Sequence, residues 1–131
     1  MDAMRLWLAS ARPAVRWTVA LAWTGLVVAL MLGPSSAVHP LSALFGGTEI
    51  TDAIGHVALY GVLTVFWWWA RIERWPPRRA LRFAVVVAVC LGVVTETVQS
   101  LLPDRGVSLL DFGANWLGVG IGAAWLSRRR R

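Results

Sequence analysis

The chain predicts an all-α membrane protein, a bundle of four spanning helices, and three observations carry that expectation. Of its 131 residues, 57% are hydrophobic and only 15% charged, with a mean hydropathy of +0.60, which is too apolar for an ordinary small soluble domain. The apolar residues fall into four blocks of about the 20 residues a bilayer-spanning helix needs. Every basic residue is arginine, and the 13 arginines cluster at the block ends instead of spreading along the chain.

The first helix is expected at about 15–32. Basic residues precede it and Ser35-Ser36-Ala37 follows, so the segment looks like a secretory signal. Its apolar stretch is longer than the roughly 7–15 residues of a signal core, and an uncleaved first span is the expectation. Gly33-Pro34-Ser35-Ser36 ends it, and Pro40, Gly46 and Gly47 keep the following loop irregular. The second helix is expected at about 53–70 with Thr51 or Asp52 as its N-cap. Trp75-Pro76-Pro77 breaks the chain, and the third helix runs at about 81–102, stopped by Pro103. Ser108 is a natural N-cap for a fourth helix at about 109–126, with Asp111 at its third position, favourable to the helix dipole. Short loops leave room for one domain, residues 1–131, held by close packing and interhelical hydrogen bonds.

The arginines orient the bundle. Arg5, Arg12 and Arg16 precede the first helix, Arg71, Arg74, Arg78, Arg79 and Arg82 flank the second loop, and Arg128 to Arg131 close the chain. The positive-inside rule then places both termini and the 71–82 loop in the cytoplasm, and the 33–51 and 103–108 loops outside. Trp7, Trp17, Trp67, Trp68, Trp69, Trp75 and Trp125 gather toward the same side, where indoles settle at an interface. The basic tail reads as an orientation signal beside anionic headgroups, so no nucleic-acid partner is expected. Cys90, the single cysteine, lies mid-helix and offers no internal disulfide.

Against this background the polar residues stand out. A charged side chain at membrane depth costs about 2.5 kcal/mol or more, so those present are paired or used. Asp52 and His56 are four apart and share a helical face that Tyr60 continues. Glu96 and Gln99 are three apart in the outer turns of the third helix, and Asp111 and Asn115 are four apart in the outer turns of the fourth. Arg105 and Ser108 lie in the connection between them. Three helices therefore place polar pairs at one depth, on the extracytoplasmic side. Ala114-x3-Gly118-x3-Gly122 is a small-residue stripe continuous with the polar end of the fourth helix, suited to close helix contact.

The pattern Asp52-x3-His56-x3-Tyr60, followed by Glu96-x2-Gln99-x3-Pro103-x-Arg105-x2-Ser108-x2-Asp111-x3-Asn115-x2-Gly118, resembles the VanZ-like family of small bacterial membrane proteins. The resemblance covers about residues 52–122, with Ala53 standing where many members carry Lys. It implies a protein of the bacterial cytoplasmic (inner) membrane, associated with the cell envelope and with glycopeptide (teicoplanin) susceptibility, and it supplies no reaction.

Two functional classes follow. In the first, an outward-open polar pocket binds or processes the head of a lipid-linked or amphiphilic envelope molecule. As an enzyme it would be a hydrolase or transferase, with Glu96, Asp111 and His56 as candidate catalytic acid/base groups. Asp52, Gln99, Arg105, Ser108 and Asn115 would bind the ligand, Arg105 through a planar fork that matches phosphate or carboxylate. Asp52, His56, Glu96 and Asp111 also make a divalent metal a candidate cofactor, without any HExxH-type spacing to mark it. In the second class the cluster only locks the bundle of a structural or accessory subunit, whose partner helix would pack on Gly118 and Gly122. The lipid bilayer is the partner common to both.

Overall fold

The structure is a computed structural model that describes residues 11–34, 36, 43–44, 46–103 and 108–128. Arg5, Trp7, Ser35, Ala37, Pro40, Arg105 and Arg129 to Arg131 lie outside the described residues. Four helices form the fold: α1 (Pro13–Leu32), α2 (Glu49–Arg71), α3 (Pro77–Gln99) and α4 (Leu109–Arg128). There is no strand among the described residues. All four helices are long and apolar enough to cross a membrane, and the chain is a multi-pass membrane protein. Large apolar side chains such as Leu21, Ile54, Val86, Val94, Leu117 and Ile121 point outward, while the polar residues of the helix interiors turn inward, the arrangement a bilayer demands.

The helix ends follow local chemistry. Pro13 opens α1 at its first position, where a missing N–H costs nothing. α2 begins four residues before the expected 53, because Thr48, not Thr51 or Asp52, is the N-cap: its hydroxyl accepts from the Thr51 N–H at 3.2 Å. Gly46 and Gly47, with φ of 105° and 60°, make the left-handed approach to that cap. α3 begins at Pro77, also earlier than expected; the Pro-Pro pair starts the helix instead of breaking it, since proline fits the first turn. It ends at Gln99, and Leu101 and Leu102 close tight turns onto Val98 and Gln99 before Pro103. In α4, Ser108 Oγ accepts from the Asp111 N–H at 3.3 Å, the expected cap.

The register of contacts gives the topology. Val57 meets Gly118 and Gly61 meets Gly122; both numbers advance by four, so α2 and α4 run parallel. Tyr60 meets Thr95 near one end and Trp67 meets Phe83 toward the other, so α2 and α3 are antiparallel. Trp17 meets Trp67 edge-on and Trp23 donates to the Leu59 carbonyl, so α1 and α2 are antiparallel as well, and Trp67 adds a bond to Thr24 Oγ1. Gln99 donates to the Met31 carbonyl at 2.6 Å and ties α3 to the end of α1. α2 is therefore the central helix, packed on all three others.

Small residues make the closest approaches. A Cβ on Gly118 would collide with the Val57 carbonyl oxygen, and one on Gly122 would sit 2.8 Å from the Gly61 carbonyl oxygen. The Ala114/Gly118/Gly122 stripe is thus covered by α2 of the same chain, and Gly118 and Gly122 do not offer a face to a partner helix. The small-residue spacing marks a close contact without saying which helix makes it. On α3 the buried face is Ala80, Ala84, Ala88 and Gly92, a second smooth stripe that changes into Thr95, Glu96 and Gln99 at the polar end. Between the stripes the core holds Ala20, Val27, Tyr60, Leu63 and Trp67.

Candidate functional site

The polar end is built where α2 and α4 begin and α1 and α3 end. His56 lies two turns into α2, Asn115 nearly two turns into α4, and Glu96 one turn before the end of α3. All three are buried, at 8%, 1% and 3% exposure. The Asn115 amide stands between the other two. Its Oδ1 accepts from His56 Nδ1 at 2.8 Å, and its Nδ2 donates to Glu96 Oε1 at 2.9 Å. His56 Nδ1 and Glu96 Oε1 are 4.0 Å apart, beyond direct hydrogen bonding, so the amide is the link.

This arrangement fixes the imidazole. The proton on Nδ1 is spent on Asn115, which makes Nε2 the ring's uncommitted nitrogen. Among the described residues Nε2 of His56 and Oε2 of Glu96 have no hydrogen-bond partner. Each titratable group is clamped through one atom and leaves a second uncommitted.

One turn deeper, Tyr60 is completely buried. Thr95 Oγ1 donates to the Gly92 carbonyl at 3.1 Å, so it accepts from the Tyr60 hydroxyl at 2.8 Å. This pair closes the polar end off from the apolar core. Gln99, at 5% exposure, spends its amide N–H on Met31 and tethers α1. Thr95 carries a contact that the sequence reading passed over; its signal was an isolated hydroxyl beside Glu96, on the face that Gly92 and Gln99 share.

The remaining expected site residues lie differently. Asp52 is exposed in the first turn of α2; four-residue spacing gives it the face of His56, but one turn nearer the helix end. Asp111 and Ser108 are half-buried at the start of α4, where Ser108 serves the cap. Arg105 lies outside the described residues. Among the described residues no three of His, Cys, Asp and Glu are grouped so as to hold a metal ion. The Asp52, His56, Glu96 and Asp111 set is therefore not grouped as a ligand cluster here: His56 Nδ1 and Glu96 Oε1 are already engaged by Asn115, and Asp52 is exposed in the first turn of α2.

The chain matches no family model, no characterised protein and no solved structure.

Proposed function

We propose that this chain is a VanZ-like protein of a bacterial cytoplasmic membrane, with both termini in the cytoplasm. In this reading His56, Asn115 and Glu96 form the floor of an outward-facing site for the head group of a lipid-linked or amphiphilic envelope molecule. The observation that supports it most is the pair of uncommitted atoms, His56 Nε2 and Glu96 Oε2, on side chains otherwise held rigid by Asn115. A cluster kept only to lock helices spends its donors and acceptors on one another, as Tyr60 and Thr95 do. A preorganised acceptor beside an imidazole suits recognition of hydroxyl, amide or ammonium groups. Asp52, Asp111 and Ser108 stand nearer the helix ends, where a head group enters, and Arg105 supplies a cation for a phosphate or carboxylate. Should the bound molecule be processed, His56 Nε2 is the group to accept a proton from a hydroxyl or water. The resemblance adds the expectation that expression shifts glycopeptide susceptibility.

Native mass spectrometry of the detergent-extracted protein tests this. An amphiphile carried by the wild type and lost from Glu96→Gln, with thermal stability kept, supports the reading. Equal carriage by both proteins, or loss of stability without any carried molecule, leaves only the helix-locking role.

A further inference from the structure

At the opposite end of α2, Arg71 is enclosed by aromatic rings. Its guanidinium carbon lies 4.2 Å from the ring centroid of Trp75 and 4.7 Å from those of Trp17 and Phe83. The rings come from α1, from the α2–α3 turn and from α3, and Trp75 meets Phe83 edge-on at 5.2 Å. The guanidinium of Arg79 lies over the same Trp75 ring at 4.7 Å. Two cations thus share one indole.

Aromatic rings satisfy a guanidinium incompletely. They attract its charge but do not replace oxygen acceptors for its five N–H groups. Nε of Arg71 is buried with no hydrogen-bond partner, and no described carboxylate lies within ion-pair distance of Arg71. The surroundings do not neutralise it either. Among the described residues this end of the bundle carries Arg12, Arg16, Arg74, Arg78, Arg82 and Arg128 against one acid, Glu73. A half-buried, ring-clamped cation with unspent donors calls for an anion with several oxygens.

We propose that Arg71 and Arg79, framed by Trp17, Trp75 and Phe83, bind the phosphate of an anionic phospholipid head group. The planar fork of arginine matches phosphate geometry. The source is the bilayer: the box sits where three spanning helices end, at head-group depth, and its walls are aromatic side chains of the kind that settle at an interface. The site is distinct from the polar end, since fifteen residues of α2 separate Arg71 from His56, about 22 Å along the helix.

The test is native mass spectrometry of the delipidated full chain in detergent, titrated separately with phosphatidylglycerol and phosphatidylcholine. The wild type should take up phosphatidylglycerol at markedly lower concentration than phosphatidylcholine. Arg71→Gln should raise the phosphatidylglycerol midpoint about tenfold, the loss of one strong charge-assisted contact. Arg74→Gln, exposed and outside the box, should not. Equal uptake of the two lipids, or an unchanged midpoint in folded Arg71→Gln, overturns the proposal. So does displacement of phosphatidylglycerol by millimolar inorganic phosphate, which would mark a free-anion site. Should Arg71→Gln fail to fold, the exposed Arg79→Gln decides: a raised midpoint supports the site, an unchanged one removes it.

Discussion

His56 and Glu96 face each other across the side chain of Asn115, with Nδ1 and Oε1 4.0 Å apart and an amide joined to both. Three helices meet in this one chain of hydrogen bonds. Asn115 is the member that accepts from one neighbour and donates to the other, and several expectations follow from that.

Replacing Asn115 by Leu strands a buried carboxylate and an imidazole N–H together. The cost should be about 1–3 kcal/mol per orphaned group, read as a lowered thermal midpoint in detergent. Asn115→Asp should be worse, because two carboxylates then face each other. Combining Asn115→Leu with Glu96→Gln should cost less than the sum of the two single changes. Simple additivity in that cycle would mean the link carries no coupling.

Gly118→Ala should destabilise the bundle by about 1–3 kcal/mol, the usual range for overpacking, since its new methyl meets the Val57 carbonyl. Gly120→Ala, two residues along, meets nothing within 4 Å and should be neutral or gain up to about 1 kcal/mol of helix propensity. Thermal unfolding of the pair separates helix contact from backbone freedom; equal effects would count against a close α2–α4 crossing.

Tyr60→Phe keeps the ring and removes the hydroxyl that Thr95 receives. Thr95 retains its own bond to Gly92, so the loss should stay near the 0.6 kcal/mol or so typical of interhelical polar contacts. Tyr60→Ala empties a fully buried site and should cost about 3–5 kcal/mol. A Tyr60→Phe variant as unstable as Tyr60→Ala would show that the hydroxyl, and not the ring, holds this level together.

Gln99→Leu frees the Met31 carbonyl and unties α1 from α3. The cost should not exceed about 1.7 kcal/mol, but the effect should be local. A disulfide between cysteines placed on facing positions of α1 and α3 should form more slowly in the variant, while one between α2 and α4 forms at the wild-type rate.

Much of this architecture can be read from residues alone. Blocks of apolar residues define spans because a bilayer sets their length, and Glu96, Gln99, His56 and Asn115 were legible because polar groups in such blocks have nowhere to go but inward. The helix starts were harder. Glu49 precedes the expected start, yet acids belong in a first turn, and the Thr48 cap was hidden behind Gly46-Gly47. Pro76-Pro77 reads equally as a break and as a beginning. Asp52 shares a helical face with His56, but whether that face is covered depends on neighbouring chain, which periodicity does not contain. The Ala80/Ala84/Ala88 stripe went unread because alanine is ambiguous between packed and exposed positions.

The parallel pairing of α2 with α4 also sets an order of events. Chains enter a membrane from the N-terminus, so α2 and α3 reach the bilayer before α4 has been made. Until then His56 and Glu96 lack the amide that joins them, and Gly61 has no neighbour pressed against it. The central helix must wait, with a polar side chain poorly provided for, until the last span arrives. A nascent chain halted before residue 115 should therefore remain loosely associated and open to membrane proteases, and the bundle should tighten in one step when α4 slides in beside α2.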